Sequence, residues 1–70
     1  MKKCVLKEKL RELRLEKGLR QVDVANAMGL TLRAICNYEA GTREPSLEML
    51  IKLCEFFETT PNVLLGFSEY

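Results

Sequence analysis

Histidine is absent from this chain of 70 residues, and cysteine is scarce and unpaired in pattern. Without histidine the commonest general base is gone, and a zinc site would need an unusual ligand set. The three cysteines stand at 4, 36 and 54, an odd number with no CxxC spacing. They suggest neither a disulfide framework nor a metal site, and a reduced, cytoplasmic protein is the plain expectation. Cys36 has no evident base beside it, so catalysis is not expected, and no cofactor or metal is called for. No apolar run approaches the roughly 20 residues of a membrane span. The opening "MKKCVLKEKL" carries lysines but no apolar stretch after them, which argues against a secretory signal. No alternating strand pattern, internal repeat or low-complexity segment is seen.

Net charge is also nearly lacking, at +1, and by itself argues weakly against a nucleic-acid role. Its distribution says more. Residues 1–17 carry +4, residues 18–43 carry +1 and residues 44–70 carry −4. A chain polarised in this way can turn a positive face to an anion and an acidic face to water. Helices with ordinary solvated charged faces would give the same counts. Apolar residues make up 47% and charged residues 30%, the mixture of a globular chain and not of a disordered one. This length implies one small domain over 1–70, with a core over about 5–66, burying only about 60% of its unfolded surface.

Five helical patterns fill that length. "VLKEKLRELRLEKG" sets Leu6, Leu10 and Leu13 on one face, and Gly18 stands where a left-handed residue would end the helix. "RQVDVANAM" groups Val24, Ala25 and Met28 and stops at Gly29. "TLRAICNYE" has Thr31 as its cap and Ile35 and Tyr38 at inward spacing, with Gly41 closing it. Ser46 caps "SLEMLIKLCEFF", whose apolar face is expected to comprise Leu47, Leu50, Leu53, Cys54 and Phe57. Thr60 and Pro61 open the short "TPNVLLG", and Gly66 ends it. Helices joined by short turns predict an all-α, compact five-helix bundle.

The second and third patterns carry a more specific signal. Two short helices crossing steeply need a small residue where their backbones approach, an unstrained turn and a branched side chain in the angle. Ala25, Gly29 and Ile35 supply these in order. Together with "LRELRLEKGLRQVDVANAMG", "AICNYEAGTREPSLEMLIKLC" and "TTPNVLLG", the chain resembles the phage-repressor and Cro-like helix-turn-helix domains, the Xre family, over roughly residues 5 to 66. That resemblance implies a lambda-repressor-like DNA-binding fold, with the third helix in the major groove of double-stranded DNA.

Residue by residue, the resemblance and the helical wheel meet. With Ile35 and Tyr38 inward, Leu32, Arg33, Cys36 and Asn37 point outward, onto positions matching the family's base-facing surface. Arg33 suits guanine O6 and N7, Asn37 suits adenine N6 and N7, and Leu32 and, more weakly, Cys36 suit a thymine methyl. Ordinary solvated residues are the alternative reading of Arg33 and Asn37. Gln21 begins the second helix, where free N–H groups face an anion, and the family uses a glutamine there for a phosphate. Arg43, Lys17, Arg20 and Thr31 are further phosphate candidates. Arg20 departs from the family, which has a Ser, Thr or Asn cap at this position. The second helix is therefore expected to start less firmly, or to take its missing acceptor from a phosphate. The resemblance also implies a partly buried ion pair between Arg14 and Glu39.

Leu15, Phe56, Val63, Leu65, Phe67 and Tyr70 fall off the inward stripes. Four of them, Val63, Leu65, Phe67 and Tyr70, crowd the last eight residues and suggest a homodimer patch, the region through which related stand-alone repressors pair. The leading expectation is a sequence-specific transcriptional regulator, a repressor on a palindromic operator. RNA polymerase is a further partner to consider, through Glu44, Glu48 and Glu55. The alternative is a protein-interaction module or antitoxin-like component of the same fold, with DNA binding secondary. Redox control through Cys36 is a third reading.

Overall fold

The computed structural model describes residues 6–66, and these form five helices: α1 (Leu6–Glu16), α2 (Gln21–Met28), α3 (Leu32–Ala40), α4 (Leu47–Phe57) and α5 (Pro61–Leu64). Among the described residues there is no strand, in agreement with the all-α expectation. Leu6, Leu10, Val24, Ala25, Ile35, Leu50, Leu53, Cys54, Phe57 and Leu64 make one core, with Leu13, Leu19, Met28, Leu30 and Tyr38 packed partly buried against it. All five helices contribute, so no pair would be apolar enough to stand alone. α3 packs chiefly against α2 and α1, α5 against α1 and α4, and α4 also against α2. None of the described helices is long and apolar enough to cross a membrane.

The helix ends follow from local chemistry. Thr31, Ser46 and Thr60 each accept the backbone N–H three residues on, at 3.1, 3.1 and 3.3 Å. The turn between α2 and α3 depends on Gly29, whose φ of 71° a side chain would strain. That residue returns the chain so that Leu30 N–H donates to Ala25 O at 2.8 Å, while Ala25 and Ile35 close the angle between the two helices as buried residues.

Three expectations about packing change. Leu47, assigned by spacing to the apolar face of α4, is 73% exposed, although Met49 and Leu50 in the same turn pack on the core. Phe56, set off the stripe by spacing, instead packs partly buried on the core and meets Phe57 edge-on, with ring centroids 4.9 Å apart. Leu65 likewise lies partly buried against the core. In a domain this small two faces of a helix find cover, and a wheel drawn for one face misses the second.

Candidate functional site

The outer face of α3 is the place where exposed polar chemistry and rigid support coincide. Leu32, Arg33, Cys36 and Asn37, the four residues set outward by the wheel, line one open hollow of about 350 Å³. Leu32 and Arg33 are exposed, and Cys36 and Asn37 are half-buried on its wall. The opposite face holds Ile35, fully buried, and Tyr38, half-buried. The Arg33 side chain makes no hydrogen bond or ion pair among the described residues. Its five N–H donors are therefore not committed within the described part of the chain.

Support comes from a polar chain running inward from the hollow. Cys36 Sγ donates to Gln21 Oε1 at 3.2 Å, and Gln21 Nε2 donates to Glu39 Oε1 at 3.1 Å. Glu39 then takes a two-pronged pair from Arg14, with Nε to Oε2 at 2.7 Å and Nη2 to Oε1 at 3.1 Å. Arg14 Nη1 donates to Leu19 O at 2.9 Å, fastening the turn between α1 and α2 to the same group. The two side chains are 11% and 5% exposed, so this pair lies out of water. Hydrogen bonding to Glu39 holds the Arg14 pKa above its ordinary value. Helices α1, α2 and α3 are thus pinned to one another by directional bonds whose geometry fixes the roll of α3.

The start of α2 is held by only one half of a cap. Arginine cannot accept a hydrogen bond, so no side chain takes the first N–H groups of the helix, and Asp23 N–H turns instead to Arg20 O at 3.1 Å. Asp23 supplies the acid half of a capping box: its Oδ2 accepts the Arg20 backbone N–H at 2.8 Å. The Arg20 guanidinium also folds onto Asp23, with Nε to Oδ2 at 3.1 Å and Nη2 to Oδ1 at 2.9 Å. Bonding to Arg20 lowers the Asp23 pKa. The clamp is therefore complete above the ordinary carboxylate range and is lost as pH falls through the lowered value. The signal was legible, since an acid stands three residues after the cap position.

The remaining assigned residues are placed as follows. Thr31 Oγ1 accepts from Ala34 N–H, and its own proton remains available to donate outward. Gln21 has spent one amide proton on Glu39 and keeps the other. Lys17 is exposed at the end of α1, and Arg43 is exposed beyond α3, its backbone N–H directed at Asn37 O at 3.4 Å. Of the C-terminal apolar group, Val63 is half-buried and Leu65 packs on the core, while Phe67 and Tyr70 lie outside the described residues. Burial pushes the Cys54 thiol up, which leaves it protonated and unreactive. Among the described residues no group of three His, Cys, Asp or Glu is placed to hold a metal. Sequence reasoning missed two partners at this site, the Gln21 bridge between Cys36 and Glu39 and the Thr42 hydroxyl beside Asn37.

Comparison with known proteins gives the family and the fold. Residues 10–64 match the family model described as Helix-turn-helix. The chain is 39% identical over 61 residues to the cryptic phage CTXphi transcriptional repressor RstR of Vibrio cholerae, covering 87% of this chain and 55% of that protein. It is 40% identical over 70 residues to the HTH-type transcriptional regulator DdrOP3 of Deinococcus deserti, covering 100% of this chain and 52% of that protein. The crystal structure of a transcriptional regulator from Listeria innocua superposes with a TM-score of 0.82 at 28% identity, covering 93% of this chain and 61% of that one. The chain spans about half the length of the curated relatives it matches.

Proposed function

This chain belongs to the helix-turn-helix family of the phage-repressor kind, and on that premise we propose that it binds double-stranded DNA in the cytoplasm and regulates transcription, with α3 in the major groove. The observation that carries the reading is the hollow formed by Leu32, Arg33, Cys36 and Asn37 on a helix whose other face is locked. Arg33 offers its fork to guanine O6 and N7 without breaking a bond to another described residue. Asn37 lies one turn on, and Leu32, 46% exposed, meets a thymine methyl. The Arg14–Glu39 pair and the Gln21 bridge hold these groups at one angle before DNA arrives, so little ordering is left for binding.

Phosphates position the domain. Gln21 donates its second amide proton, the first turns of α2 and α3 add backbone N–H groups, and Thr31 adds its hydroxyl. Arg20 keeps the part of its guanidinium that Asp23 does not use. Lys17 and Arg43 add charge at the flanks. A second copy, joined through Val63 and the C-terminal residues, brings two α3 helices to half-sites about 34 Å apart, and occupancy of such a palindrome over a promoter represses it.

The test is selection from a random-sequence duplex pool at near-physiological salt, followed by sequencing of what is retained. The expected result is a two-fold-symmetric motif with half-site centres one helical turn apart. Affinity should fall with salt at a log–log slope of about −0.9 per phosphate neutralised. A motif without symmetry removes the dimer and keeps the groove reading. Retention without any motif removes base reading, and the role of a protein-interaction module then takes its place.

A further inference from the structure

Thr42 touches neither base nor phosphate in this reading, yet its hydroxyl lies 3.2 Å from Asn37 Oδ1 and 3.3 Å from the Asn37 backbone carbonyl. The helix stop puts it there. Gly41, at a φ of 80°, turns the chain back over the last turn of α3, and Thr42 N–H donates to the Asn37 carbonyl at 3.0 Å. Gly41 is also where the Lys7 stem lies closest, since an added Cβ would meet Lys7 Cδ at 2.8 Å.

An asparagine side chain has two unlike ends, an accepting oxygen and a donating NH2 group, and it presents either one if nothing holds it. The Thr42 hydroxyl has one proton for two acceptors, and the Asn37 carbonyl already accepts from Thr42 N–H at 3.0 Å, which leaves Oδ1 as the less occupied acceptor. A proton given to Oδ1 breaks that symmetry. With Oδ1 drawn to Thr42, the planar amide leaves its NH2 as the free end, on a residue that lines the hollow. Oδ1 retains a second lone pair.

We propose that Thr42 is a positioning residue that presets Asn37 to read a purine. A purine N7 accepts from the outward NH2. Adenine N6 can then use the second lone pair of Oδ1, and guanine O6 can take the other amide proton. Thymine O4 takes one amide proton alone. Cytosine N4 can meet the second lone pair of Oδ1 but leaves the NH2 without an acceptor, so cytosine is disfavoured at that position. This rests on the reading of α3 as the groove helix and adds to it which end of Asn37 does the reading.

The experiment uses the motif recovered from the pool, with all four bases tested at the position that Asn37→Ala identifies. Dissociation constants are measured for the wild type, Thr42→Val, Thr42→Ser, Asn37→Ala and the Asn37→Ala, Thr42→Val double variant. The wild type should prefer purine over cytosine there by about tenfold. Thr42→Val removes the hydroxyl at nearly constant shape and should bring that ratio close to one, while Thr42→Ser keeps it. On an Asn37→Ala background Thr42→Val should change nothing. A wild-type ratio retained in Thr42→Val overturns the proposal, as does a loss equal for all four bases or one that persists without Asn37. A wild type that shows no base preference anywhere removes the groove reading and this assignment with it. That outcome is distinct, because no variant then has a ratio to lose.

Discussion

Helices α3 and α4 begin alike and are held in place by different forces. Each is capped by a hydroxyl at 3.1 Å, and each ends on a left-handed residue, Gly41 at φ 80° and Glu58 at φ 57°. Beyond that they diverge. α4 sinks Leu50, Leu53, Cys54 and Phe57 into the core, whereas α3 fully buries Ile35 alone. What α3 lacks in apolar burial it regains in directional bonds, from Glu39 to Arg14 and through Gln21 to Cys36. Hydrophobic burial is non-directional, so it fixes where a helix lies better than how it is rolled. Hydrogen bonds with a fork geometry fix the roll. On the proposed reading, a helix that presents four side chains to base edges needs the second kind of support, and a helix that closes a core needs the first.

That contrast can be broken from either side. Leu53→Ala, in the fully buried stripe of α4, should lower stability by about 3 kcal/mol and leave the base preference of the folded protein unchanged. Chemical denaturation beside operator titration reads both. Glu39→Gln replaces a buried carboxylate with an amide and strands the Arg14 charge. It should cost about 2 kcal/mol and, unlike Leu53→Ala, blur base preference at several positions. Equal blurring by both variants would show that the polar ties are ordinary stability. Thr31→Ala removes one cap and one outward donor, costing about 1 kcal/mol in thermal unfolding with a small uniform loss in binding. Smallest of all, Glu58→Gly relieves a left-handed residue that carries a side chain. It should raise stability by about 0.5–1 kcal/mol and leave binding alone.

How much of this was legible in the sequence depends on the kind of force involved. Helix starts and stops are local, so Thr31, Ser46, Thr60, Gly29 and Gly41 could be assigned by their neighbours alone. Periodicity sets Leu32, Arg33, Cys36 and Asn37 outward, given Ile35 and Tyr38 at inward spacing. Spacing failed where cover comes from a distant element, as with exposed Leu47 and packed Phe56. It also failed for side-chain bonds across the chain. Cys36 to Gln21 spans 15 residues, and no periodicity announces it. Arg14 and Glu39, 25 residues apart, were paired only through family resemblance. The acid three residues after the cap position, Asp23, was a readable signal for the bond to the Arg20 backbone N–H, and the side-chain cap that Arg20 cannot make is absent.

The central claim is that α3 reads bases while its surroundings read the backbone. The most direct measurement sets Arg33→Ala beside Gln21→Ala on a panel of duplexes that covers every single-base change in the selected motif. Arg33→Ala should cost about 1–3 kcal/mol on the parent sequence and abolish discrimination at one base position. Gln21→Ala should weaken every duplex by a similar factor and leave the order of preference intact. If Arg33→Ala lowers affinity equally on all duplexes, the hollow on α3 is not a base-reading surface.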